Sequence, residues 1–199
     1  MTIGEIIETK SMAFVAESFT LNRPPALGGL VVVAEDDTRP YGVVIYGQTV
    51  GIDPSRRPVR QSTETVHDQA VYERHVELEH ILRTEFGVAL VGYDTPTRVC
   101  QHLPPRPPCL HFSVREATAD EVRRFTNELQ YLRLLLSTAQ AGEVPPPQVL
   151  AAHAREVYRA RGEDRAWLER AAQEIVALFK NDYEALLTVL YAMDPGVQL

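Results

Sequence analysis

The sequence predicts an α+β protein, a small closed β-barrel of about six strands followed by an α-helical bundle. Three observations lead there. Residues 1–98 are dominated by short β-branched runs punctuated by Gly and Pro, the second half carries apolar residues every three or four positions, and a proline tract separates the two.

The strands are taken in order. Ile3, Ile6 and Ile7 surround Gly4, and Met12 to Phe19 runs apolar with strand formers. Leu30-Val31-Val32-Val33 starts from Gly28-Gly29, and Tyr41 to Ile52 carries Val43, Val44, Ile45, Tyr46, Val50 and Ile52. Arg23-Pro24-Pro25, Glu35-Asp36-Asp37 and Asp53-Pro54-Ser55 are turn signals between them. Close spacing of strands and turns favours a small barrel or sandwich over βαβ units, and Gly4, Gly29, Gly42 and Gly47 suit its bends and bulges. Residues 55–70 are polar and predict a loop. An inserted helix is expected near 71–86, with Val71, Val76, Leu78, Ile81 and Leu82 on one side and Gly87 as its stop. Val88 to Tyr93 is the returning strand, which closes a barrel over residues 1–98.

Pro96, Pro104, Pro105, Pro107 and Pro108 make residues 99–117 an extended connector, because each proline fixes φ and removes an amide donor. A helical domain of about four helices follows at 118–199. Thr118 with Glu121 spells a capping box, and Val122, Phe125, Leu129, Leu132 and Leu136 continue that helix to Gly142. Pro145-Pro146-Pro147 precede the second, which Gly162 closes. Asp164 caps a third carrying Trp167, Ala171 and Ile175, and Asp182 a fourth carrying Leu186, Leu187 and Leu190. The short connections favour antiparallel neighbours.

Charge narrows the function. The chain of 199 residues has a formal net charge of −7, with 9 basic and 14 acidic residues up to residue 98 and 11 and 13 after it. Neither half has the basic excess that drives unaided binding to a phosphate backbone. Met1 to Lys10 has no basic and apolar leader pattern and the apolar runs are too short to span a bilayer, so a cytoplasmic protein with no membrane partner is expected. Cys100 and Cys109 lack CxxC spacing and predict reduced thiols.

Catalytic motifs are scarce. There is no GxxxxGK[ST], GxSxG or GxGxxG, so the expectation is no enzyme and no cofactor. His67, His75, Glu77, Glu79 and His80 form the one cluster of metal-ligand types, but its histidines are five apart and match neither zinc-protease spacing, so no metal is expected. Arg56, Arg57 and Arg60, in the loop SRRPVR, are the densest basic patch: either forks for phosphates or partner carboxylates, or a solvated loop. Tyr93, at the end of the last strand, is either an interface anchor or a residue packed on the connector.

Ile3-Gly4-Glu5-Ile6-Ile7, Gly29-Leu30-Val31-Val32-Val33 followed by Tyr41-Gly42-Val43-Val44, the return Ala89-Leu90-Val91-Gly92-Tyr93 and the exit Pro104-Pro105-Arg106-Pro107-Pro108 together resemble the HAS-barrel family. That family takes its name from the HerA helicase and the ATP synthase subunits that share the domain, and the likeness covers about residues 1–115. In HerA-like helicases the barrel precedes a hexameric ATPase and receives the nuclease NurA in DNA-end processing. Here about 80 helical residues stand in the place of that ATPase. The resemblance implies a free-standing barrel that docks, as an accessory or adaptor subunit, on a HerA-type ATPase or NurA-type nuclease; it also suggests self-association into a ring, with a monomer or dimer kept apart by the acidic helices as the equal alternative. The rival expectation is a barrel module binding a nucleic acid or small ligand by itself.

Overall fold

The computed structural model describes residues 1–34, 38–53, 55 and 57–193. The strands are β1 (Thr2–Thr9), β2 (Ala13–Ser18), β3 (Leu30–Val33), β4 (Arg39–Gly51), β5 (Leu82–Asp94), β6 (Val99–Cys100) and β7 (Ser113–Glu116). They form one antiparallel sheet in the order β2-β1-β7-β3-β4-β5-β6, and β2 also pairs with β5. The order of neighbours therefore returns on itself through six strands, a ring-like sheet, with β6 as a seventh, two-residue strand beside it.

The period-2 alternation of the strands divides their side chains between two cores. Val31 and Val33 of β3, Phe86, Val88 and Leu90 of β5, with Ile6, Phe14, Ala16, Val44 and Val114, form a cluster to which all six ring strands contribute. The alternate residues Leu30, Val32, Tyr41, Val43, Ile45, Ala89 and Val91 belong instead to a larger cluster with the helices. Bulges at Tyr41/Gly42 and Val44/Tyr46 interrupt the β4–β5 register.

The segment 99–117, expected as a connector, supplies β6 and β7, and β7 joins β1 to β3. Val114, with 0% exposure, explains why Ser113–Glu116 enters the sheet once the prolines end.

The expected helix over 71–86 is corrected. Two short helices, α1 (Gln69–Arg74) and α2 (Leu78–Ile81), precede β5, which begins at Leu82. Of the residues that gave the helical pattern, Val76 and Ile81 are exposed; Thr84 and Phe86, which lay outside that pattern, are buried where β5 pairs with β4 and β2. Gly87 stops no helix. It lies in β5 where the Tyr46 ring occupies the place of a Cβ.

Among the described residues the carboxyl-terminal half has five α-helices where about four were expected: α3 (Ala119–Phe125), α4 (Tyr131–Thr138), α5 (Pro146–Ala160), α6 (Arg165–Leu178) and α7 (Tyr183–Met193). The expected 118–142 helix is divided at Thr126–Gln130. The carbonyls freed at the break find side-chain donors instead: Gln101 Nε2 donates to Phe125 and Glu128, and Trp167 Nε1 to Thr126. The Thr118–Glu121 capping box forms, and Asp164 and Asp182 accept from the backbone N–H groups of Trp167 and Ala185. Among the described residues no helix is long and apolar enough to cross a membrane.

Candidate functional site

Strands β4 and β5 run farther than their neighbours. β3 pairs with β4 only at Tyr41–Val43, and β2 with β5 only from Glu85 to Ala89. Beyond these, Thr49, Val50 and Gly51 pair with Thr84, Arg83 and Leu82, making a two-stranded arm that extends from the ring, with the Gln48–Glu85 pair at its base. Gln48 Nε2 donates to Glu85 at 3.1 Å and the Thr49 and Thr84 hydroxyls lie 2.8 Å apart, while Thr84 also accepts from the Asn22 N–H. The arm is thus pinned on both faces.

At its end lies an apolar groove of about 440 Å³, lined by Ile52, Val59, Ile81 and the buried Leu78, with Asp53, Arg57 and His80 as its charged or titratable lining. Ile52, Val59 and Ile81 are 47%, 75% and 51% exposed, three large aliphatic side chains converging where solvent would normally select polar ones. Ile52 N–H donates to the Ile81 carbonyl at 2.9 Å, which closes the arm and fixes two of them relative to each other.

Arg57 lines this groove and Arg60, three residues on, is exposed in the same loop. Arg56 lies outside the described residues. Tyr93 sits at the other end of β5, about 35 Å away at the rise of a strand. It is 8% exposed, pairs with Cys100 across β5–β6 and meets His102 edge-on with ring centroids 5.2 Å apart. Hydrogen bonding to Cys100 raises its hydroxyl above the ordinary tyrosine range. The ring packs on the segment after β5 and has little surface for a partner. The arginine loop and Tyr93 are not one site.

The histidine-rich segment does not converge. His75 Nδ1 lies 2.9 Å from Glu77, whose carboxyl is held below the usual range by its own backbone N–H and by His75, and His80 faces the groove instead. Among the described residues no group of His, Cys, Asp or Glu could hold a metal ion. Other polar side chains tie the helices to the sheet. Asp94, 2% exposed, accepts from Arg124 at 2.8 Å and Arg39 at 3.3 Å. Arg115 grips Glu121 with two bonds of 2.6 and 2.7 Å, and that hydrogen bonding holds the Glu121 carboxyl at about 2.

The sequence puts Ile52 in a strand, Ile81 in an expected helix and Val59 in a loop, and does not bring the three together. The signal available was Val59 itself, an aliphatic residue between Pro58 and Arg60 in a stretch otherwise polar. No protein-family model matches the chain, and no curated protein matches its sequence.

Proposed function

We propose that the chain is a non-catalytic docking subunit of the cytoplasm, a HAS-type β-barrel with a helical pack, that joins a HerA–NurA-type DNA-processing assembly. The observation that carries this reading is the β2–β5 pairing, through which the strand order returns on itself. A sheet with no free long edge around most of its circumference offers a rigid surface for assembly, and closure removes the edges that would otherwise aggregate. The order of glycine and β-branched motifs described above supports the same family. On this reading the ring binds the translocase or the nuclease, the exposed Arg57 and Arg60 contribute to the contact, and no reaction occurs on the chain itself.

The test is association. Tagged protein drawn from a native lysate is expected to bring down a HerA-type ATPase or a NurA-type nuclease in fixed ratio, and the purified chain to hydrolyse neither nucleotide nor DNA. A chain that migrates alone and does not bind the purified ATPase–nuclease pair at micromolar concentration overturns the reading. Retardation of short oligonucleotides at low salt by the chain alone would instead favour a nucleic-acid-binding barrel.

A further inference from the structure

Among the described residues, the stretch Gln48–Gly51 of β4 is paired on one side only, with β5. A strand edge of this kind presents N–H and C=O groups that another extended chain can complete. Proteins usually blunt such an edge with lysine, proline or a bulge. Gln48, Thr49, Val50 and Gly51 include neither residue, and the nearest bulge lies back at Val44/Tyr46. The edge ends at Gly51, in the wall of the apolar groove formed by Ile52, Val59 and Ile81. Backbone valences and a side-chain pocket therefore lie in line.

Charge indicates what could occupy them. Arg57 stands on the groove and Arg60 is exposed in the same loop, on a chain whose overall net charge is −7. Asp53 also lines the groove and stays ionised, because the Ser55 N–H and hydroxyl donate to it at 2.9 and 2.6 Å and hold its carboxyl below the usual range; the described residues of this loop therefore set two arginines against one carboxylate. The complement of an aliphatic pocket rimmed by arginine is an apolar side chain flanked by carboxylates.

We propose that the arm captures an extended acidic segment of a partner protein, added as a strand along Gln48–Gly51 and anchored by one apolar side chain between Ile52, Val59 and Ile81. This deepens the docking reading and rests on it: it names the surface and the chemistry of the partner. The strand bonds supply affinity that is indifferent to sequence, the pocket selects the anchor, and the arginines set its direction and speed its arrival.

The experiment pans the full chain against a random dodecapeptide library and measures the enriched peptides by fluorescence anisotropy. Sequences alternating apolar with Asp or Glu are expected, and Val59→Asp should weaken them by about tenfold or more. The double variant Arg57→Glu, Arg60→Glu should weaken them by about tenfold at low salt and less at high salt. Backbone N-methylation of alternate peptide residues should abolish binding, as only strand addition requires those amides. Because all three substituted positions are exposed, Trp167 fluorescence is expected to report an unchanged fold. Enrichment without acidic character, indifference to Val59→Asp, or binding of oligonucleotides in place of peptides overturns the proposal. Peptide binding is read without any ATPase or nuclease. A chain that binds such peptides but captures neither protein retains the groove and loses the HerA–NurA reading; one that captures them equally well as Val59→Asp loses the groove alone.

Discussion

His153 has 0% of its surface exposed, with Nδ1 2.7 Å from the Gly28 carbonyl and Nε2 2.9 Å from the Tyr131 hydroxyl. The carbonyl can only accept, so Nδ1 carries the proton and Nε2 accepts from Tyr131. One neutral ring thus ties α5 to α4 and to the turn before β3. Burial lowers its pKa to about 4 from the ordinary 6.5, the bond to Gly28 opposing. Between those values the unfolded chain binds a proton that the fold refuses, so this contribution to stability is complete above pH 6.5 and is lost as pH falls towards 4. The loss amounts to about 3 kcal/mol. Denaturant midpoints measured from pH 8 to 4 should fall across that window. His153→Leu should flatten the fall between pH 6.5 and 4.5, above the range where Glu121 protonates, while lowering stability at pH 8 by about 2–4 kcal/mol through two orphaned partners. An unflattened profile would place the titration elsewhere. Gly28 is the second half of this clasp. Its φ is +81° and a Cβ there would strike the backbone of Ala152 and His153. Gly28→Ala is therefore expected to cost at least about 2 kcal/mol, measured by the same titration. The sequence placed Gly28 at the start of β3 correctly, because a double glycine before a valine run is a local signal. Nothing local in Ala152-His153-Ala154 announces a partner 125 residues away.

At the scale of elements, pairing explains both what was legible and what was not. Capping residues act within one turn, which is why Thr118, Asp164 and Asp182 mark helix starts from sequence alone. Residues 71–86 follow a helical period as readily as a strand's, and the decision is made by β4, whose pairing with Leu82–Glu85 no local pattern contains. Pairing also creates a conflict invisible in sequence. Glu5 stands opposite Glu17, and Glu17 opposite Glu85, three carboxylates in one row across β1, β2 and β5. His111 approaches Glu5 at 2.7 Å and Arg83 approaches Glu85 at 2.6 Å, while Glu17 makes no ion pair among the described residues. Like charges directly opposed destabilise a sheet. Glu17→Thr, a strand former without charge, should raise stability by about 0.5–1 kcal/mol at low ionic strength. Thermal melts at low and high salt check this. A gain that does not shrink with salt would not be electrostatic.

For the molecule as a whole, the sequence suggests two units on either side of a proline tract, yet the larger core crosses that division. Tyr41 of β4 stacks on Phe125 of α3 at 4.5 Å between centroids, and Gly92 of β5 leaves the room that the same ring fills. Leu30, Val43, Ile45 and Val91 share one cluster with Leu132, Leu150, Trp167 and Ile175. The outward face of β3, β4 and the second half of β5 is therefore an apolar surface that the helices cover, and the helices bury their own stripes against it. Neither half can be withdrawn without exposing the other, which predicts one cooperative unfolding transition. Trp167, buried in the helical half with its Nε1 2.7 Å from the Thr126 carbonyl, reports one side. Amide exchange in β4 and β5 reports the other. Both are expected to change at one denaturant concentration. A fragment ending at residue 117 retains every strand but bares Tyr41, Val43, Ile45 and Val91, and is expected to aggregate or remain without dispersed amide resonances. Two separated transitions, or a soluble folded fragment, would show that the ring stands alone and that the shared core contributes little to holding the helices against it.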